Sequence, residues 1–292
     1  MSFGSISTAM VTPFDSKGNV DFAKTTKLIN HLIDNGSDSL VVSGTTGESP
    51  TLTTEEKIAL FKHVVKVVAG RVPVIAGTGS NNTKASIDLS KKAEEIGVDA
   101  LLIVAPYYNK PSQEGIVAHY KAIADAVRIP IMAYNVPGRT VVSIGVDTAV
   151  RLSEIPNVTA LKDAGGNLDV MSEIIEKTSD DFFVYSGDDG LTLPSLAVGS
   201  AGIVSVASHV IGNEMQAMIQ AFNRGENKEA AGIHRKLLPV MIEMFKAPSP
   251  APIKTALQLK GLDVGSVRLP LLPLNQAERS SLAATLSTLT NV

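Results

Sequence analysis

The chain has 292 residues, 44% of them hydrophobic and 19% charged, which is enough apolar side chain for a large core and too much for a disordered chain. The formal net charge is −3, no basic run stands out and aromatics make up 4%, which argues against a nucleic-acid binder with its cationic footprint and stacking rings. There is no cysteine, so disulfides, thiolate catalysis and zinc–thiolate sites are excluded.

The first strand-like run, "ISTAMV" (6–11), follows an N-terminus with neither a cationic n-region nor a long apolar h-region. No apolar run reaches about 18 residues, so a cytoplasmic protein without a membrane span is expected. Seven further short runs follow: "SLVV" (39–42), "VPVIAG" (72–77), "ALLIVA" (100–105), "IPIMAY" (129–134), "VTAL" (158–161), "FFVYS" (182–186) and "GIVSV" (202–206). Most are β-branched and apolar without strict alternation, as in parallel strands covered on both faces.

Amphipathic stretches lie between them. "TTEEKIALFKHVVKVVAG" opens with Thr53 and Glu56 at capping-box spacing and closes at Gly70. "TKASIDLSKKAEEIG" sets Ala85, Leu89, Ala93 and Ile96 on one face and stops at Gly97; "SQEGIVAHYKAIADAV" does the same with Ile116, Tyr120, Ile123 and Val127. Eight β-α units in series predict an α/β fold, a closed (β/α)8 TIM barrel. An open doubly wound sheet is the competitor. Its Gly-rich fingerprint has a partial match in "AGTGSNNT" (76–83), but Asn82 takes the third glycine position and no acidic residue follows about 20 residues later on a second strand.

After residue 206 only helical patterns remain, at 213–225, 227–245, 250–261 and 275–289. The expected division is a catalytic barrel over 1–224 and a C-terminal helical domain over 225–292.

Barrel chemistry stands at the C-terminal ends of the strands. There the chain carries "SGTTGES", "PYYNKPS", "YNVPGRT", Lys162 and "SGDDG". The Gly-Thr-Thr-Gly run offers hydroxyls and free backbone N–H groups to a small carboxylate. Arg139 suits a second carboxylate by bidentate pairing. Asp188 and Asp189 read as a turn and cap. The five histidines (31, 63, 119, 209, 234) lie on or near helices, read as surface or packing residues, and form no metal triad.

Lys162 alone could mark a strand that ends in water. Among these loops it reads as an interior amine, because a dry barrel disfavours the charged form and leaves a nucleophile. A neutral amine forms a Schiff base with a ketone; the imine draws electrons from the neighbouring C–H, and a tyrosine can move the protons.

"GTTGES", "PYYNKPSQEG", "YNVPGRT", "LKDAGGN" and "SGDD" together resemble the dihydrodipicolinate synthase family, over essentially the whole chain. "GTTGES" and "YNVPGRT" distinguish that family from its relative N-acetylneuraminate lyase. The resemblance implies a class I aldolase that joins pyruvate to L-aspartate 4-semialdehyde in lysine and diaminopimelate biosynthesis, with no cofactor beyond its own lysine. By motif, Lys162 forms the imine, Tyr134 handles protons, and Thr45 links Tyr134 to Tyr108. Thr46 binds the pyruvate carboxylate, Arg139 the semialdehyde carboxylate, and Gly187 and Val204 line the pocket. Tyr108 matches a tyrosine that enters the neighbouring subunit's site, within a homotetramer built as a dimer of dimers.

Asn81, Tyr107 and Ser49 match a family site for feedback by L-lysine. Thr54 and Lys57 stand where sensitive members carry histidines, and Ala85 where they carry a glutamate, so weak or absent inhibition is expected. Asp163 stands where some members have glutamate, with little consequence expected. The runner-up is another pyruvate-dependent aldolase with a sugar-type acceptor. A catalytically idle pyruvate-binding protein finds no support, since Lys162, Tyr134, Thr45 and Tyr108 are all present.

Overall fold

The computed structural model describes residues 3–291. Eight parallel strands close on themselves in sequence order, with β1 pairing both β2 and β8. They are β1 (Ile6–Ala9), β2 (Ser39–Val42), β3 (Val74–Gly77), β4 (Ala100–Val104), β5 (Ile131–Asn135), β6 (Val158–Asp163), β7 (Phe183–Ser186) and β8 (Gly202–Ser205). All eight predicted strands are present. β6 runs two residues further than its apolar run, because Lys162 and Asp163 stay in register with Tyr134 and Asn135 on one side and Tyr185 and Ser186 on the other.

Helices surround the barrel: α1 (Phe22–Asp34), α2 (Thr54–Val68), α3 (Thr83–Ile96), α4 (Gln113–Ala124), α5 (Pro137–Thr140), α6 (Val146–Ser153), α7 (Leu168–Lys177) and α8 (Thr192–Ala197). Then follow α9 (Ser208–Asn223), α10 (Asn227–Glu243), α11 (Ala251–Leu259) and α12 (Gln276–Ser287). The capping box opens α2 as predicted: Thr53 accepts from the Glu56 N–H while Glu56 accepts from the Thr53 N–H. α9 begins five residues before its predicted amphipathic run, with a non-helical break at Ile211.

Two apolar layers follow from the period of two along each strand. Leu101 and Ile103 of β4 face the helices, while Ala100 and Leu102 fill the interior with Val41, Ile75, Met132 and Tyr185. "AGTGSNNT" has a packing explanation. A Cβ on Gly77 would lie 2.4 Å from the Ser43 carbonyl oxygen, and one on Gly79 2.4 Å from the Val104 nitrogen. The glycines let backbones touch, and Asn82 caps α3 by accepting from the Ala85 N–H.

Candidate active site

Strict alternation from Val158 would turn Lys162 toward the helices. The structure breaks that alternation with a register shift: Ile131 opposes Val158, but the next residue, Met132, opposes Ala160. The extra residue, Thr159, is a bulge, a device that re-aims side chains. Val158 therefore belongs to the outer layer and Ala160 to the interior. Lys162, two residues on, shares the interior face, 6% exposed. Its Nζ lies 4.2 Å from the centroid of the Tyr134 ring, on the neighbouring strand.

Tyr134 is itself held from behind. The buried Tyr120 hydroxyl donates to the Ile103 carbonyl at 2.7 Å and accepts the Tyr134 N–H at 3.4 Å. Burial pushes the Tyr120 phenol up, so it stays a neutral strut. Beside Lys162, Asp163 accepts from the Asn135 amide at 2.7 Å, and Asn135 in turn accepts from the Ile144 N–H at 2.9 Å. Burial raises the Asp163 carboxyl, with the Asn135 and Gly165 bonds acting against the rise. Gly187 packs on the lysine stem: a Cβ there would lie 2.9 Å from Lys162 Cε.

At the C-terminal end of the barrel a cavity of about 270 Å³ is lined by Ser43, Thr45, Tyr134 and Arg139, and also by Lys57 and Tyr107. Arg139 sits on α5 and is exposed, with no ion-pair partner among the described residues. Lys57 likewise has none, and burial pushes its amine down. Ser43 carries a buried hydroxyl without a hydrogen-bond partner and a left-handed backbone, φ +56°.

The structure thus brings Thr45, Tyr134 and Arg139 to one cavity and sets Lys162 against Tyr134. Thr46 and Val204 are buried, and Gly187 packs against Lys162. Tyr108 lies outside it, 87% exposed on the loop after β4, with φ +73°. Asp188 caps its turn through the Gly190 N–H. Asp189 does more than cap: buried, it accepts from Ser205 Oγ at 2.5 Å and from the N–H groups of Val206 and Ala207, binding the loop after β7 to the end of β8. Neither Ser43 nor Lys254 is among the sequence-predicted site residues. A cation inside the apolar run "PAPIKTAL" was the available signal for the second. Among the described residues no group of three or more His, Asp or Glu is placed to hold a metal ion, and no helix is long and apolar enough to cross a membrane.

Fold and site together define a (β/α)8 barrel with an interior lysine against a tyrosine and a cationic cavity above the strands. Residues 2–289 match the model of the dihydrodipicolinate synthetase family, and the chain belongs to that family. It is 67% identical to the 4-hydroxy-tetrahydrodipicolinate synthase of Bacillus velezensis, covering 99% of this chain and all of that one, and 65% identical to that of Bacillus subtilis. Its fold superposes on a dihydrodipicolinate synthase of Bacillus anthracis with a TM-score of 0.97, at 68% identity and 98% coverage of both chains. A synthase from Cyanidioschyzon merolae, solved with lysine bound, matches with a TM-score of 0.97, 45% identity and 99% coverage of both.

Proposed function

We propose that this chain is a lyase, a 4-hydroxy-tetrahydrodipicolinate synthase that condenses pyruvate with L-aspartate 4-semialdehyde. The observation that carries the reading is the Lys162 amine, turned inward by the bulge and seated against Tyr134 beside a cavity with an unpaired arginine.

Lys162 Nζ attacks the pyruvate ketone carbon, and loss of water gives the imine. The positive imine nitrogen draws electrons from the adjacent methyl, which gives up a proton to form an enamine; Tyr134 is the group beside it to carry protons. The enamine carbon attacks the aldehyde of the second substrate. That substrate's amine then adds to the imine carbon, the ring closes and Lys162 leaves. The lysine supplies the electron sink itself, so the scheme needs no cofactor. Thr46 holds the pyruvate carboxylate, with Gly187 and Val204 shaping the floor, and Arg139 takes the semialdehyde carboxylate as a charge-assisted pair.

Thr45 joins Tyr134 to Tyr108 as a proton relay, and the exposure of Tyr108 fits a side chain meant for a neighbouring subunit. We read the working form as a cytoplasmic homotetramer, a dimer of dimers, with the barrel over 1–224 and a helical domain over 225–292. L-lysine acts weakly on it, because Lys57 puts a cation without a carboxylate partner in the cavity.

Pyruvate consumption with L-aspartate 4-semialdehyde and, separately, with N-acetylmannosamine tests the reading. Loss with the semialdehyde alone is expected. Loss with the sugar alone would keep Lys162 as nucleophile and overturn the acceptor.

A further inference from the structure

The turn that carries Thr45 and Thr46 is held from the far end of the chain. Glu48 closes it: its N–H donates to the Thr45 carbonyl at 3.0 Å. Glu48 is not glycine, yet its backbone is left-handed, φ +56° and ψ +36°. Its carboxylate is fully buried. One oxygen lies 2.6 Å from Lys254 Nζ of α11, and the other accepts the Arg268 N–H at 2.8 Å. Lys254 also donates to the Ser266 carbonyl at 2.8 Å and lies 4.1 Å from the Phe14 ring centroid. Arg268 reaches the Thr51 carbonyl at 2.7 Å, just beyond the turn, and pairs with Glu56 at the start of α2.

A buried ion pair adds little net stability, because desolvation offsets the attraction; its best-attested use is to select one geometry. Here the geometry selected is that of a substrate-binding turn. We propose that Glu48 and Lys254 are positioning residues for the reaction, their buried pair fixing the Thr45–Glu48 turn so that Thr46 meets the pyruvate carboxylate and Thr45 stays beside Tyr134. Neither touches substrate. The inference rests on the function proposed above.

The charged groups facing Lys254 are Glu48 from the turn, Arg268 from the C-terminal segment and Lys24 from α1. Arg268 is paired with Glu56, and Lys24 with Asp263. Burial pushes the Lys254 amine down to about 8, against the pull of Glu48. Arginine in its place would keep its charge at every working pH.

The experiment uses the full-length protein, Lys254→Arg, and the double variant Glu48→Gln with Lys254→Met, which removes both charges together. Melting, kcat and KM for pyruvate are measured from pH 7 to 10, with borohydride trapping of the pyruvate imine. The double variant should melt with the parent, yet show a KM for pyruvate raised roughly tenfold with kcat changed far less. The parent's KM should climb above pH 8, while that of Lys254→Arg climbs less. A double variant with the parent's KM, or superposed pH profiles for parent and Lys254→Arg, would overturn the proposal. Loss of fold in both variants would make the pair structural and overturn it equally. Absence of a trapped imine in the parent would sink the proposed function itself; a normal imine with unmoved variants would sink this inference alone.

Discussion

The two ends of the barrel treat their polar groups in opposite ways. At the N-terminal end Phe3 closes the interior. Its N–H donates to the Tyr185 hydroxyl at 3.0 Å, its carbonyl accepts from Ser39 Oγ at 2.8 Å, and its ring stands 6.3 Å from that of Tyr185. At the C-terminal end polar capacity is left unmet: Ser43 has a buried hydroxyl without a partner, and Arg139 and Lys57 face the cavity without acids. Unmet groups cost free energy. At the C-terminal end they border an open cavity, which is what separates the end that binds from the end that only holds.

The largest effect expected from breaking the active end is that of Lys162→Ala. Pyruvate with borohydride should then add no mass, and turnover should fall by at least about 10³-fold, since no other amine takes the nucleophile's place. Turnover that survives would end the imine mechanism. The matching change at the closed end is Phe3→Ala, which empties a fully buried site. It should cost roughly 3–5 kcal/mol in denaturant unfolding and leave the KM for pyruvate unaltered. A large KM change from Phe3→Ala would show that the two ends are not separable.

A third variant sits where the barrel seam meets the active end. His209 is fully buried and accepts the Val11 N–H on Nε2 at 3.1 Å, so Nδ1 carries the proton given to the Val206 carbonyl at 2.8 Å. A second proton would face that N–H. Burial pushes this imidazole down to about 4, and His119 likewise. As pH falls from about 6.5 toward 4 the unfolded chain binds protons that the folded one refuses, so stability present above 6.5 is lost, by up to about 3 kcal/mol for each group. His209→Gln should flatten part of that slope in urea melts. An unchanged slope would remove His209 from the account.

Smaller again is Arg139→Ala. Loss of one charge-assisted pair should raise the KM for the semialdehyde roughly 10–100-fold and leave imine trapping intact. Equal damage to trapping would move Arg139 from the acceptor to pyruvate.

The barrel was legible because eight short apolar runs and the caps of α2 and α3 are local signals. The site was legible in that barrel topology brings the residues after each strand to one end, where Thr45, Tyr134 and Arg139 line one cavity. The inward facing of Lys162 followed from the company of its loops and not from strand alternation, which points it outward: it depends on a bulge at Thr159 in the pairing of β5 with β6. Nor could the pairing of Glu48 with Lys254 be read from residues so far apart in the chain. Tyr108 was legible as a phenol, but its exposure leaves its contacts to be made outside this chain.

The smallest effect expected is inhibition by L-lysine. An effector of that kind brings an ammonium group, which needs a carboxylate. In this cavity it would meet Lys57 beside Tyr107 and Ser49, and Ala85 at the first turn of α3 offers only a methyl. Two like charges about 5 Å apart at an effective dielectric near 20 repel by about 3 kcal/mol, a loss of roughly 100-fold in affinity. Lysine at low millimolar concentration should therefore leave turnover unchanged, and half-maximal inhibition there would refute the repulsion. The converse variant sharpens the test: Lys57→His with Ala85→Glu removes the cation and supplies the acid, and should make the enzyme respond to lysine where the parent does not.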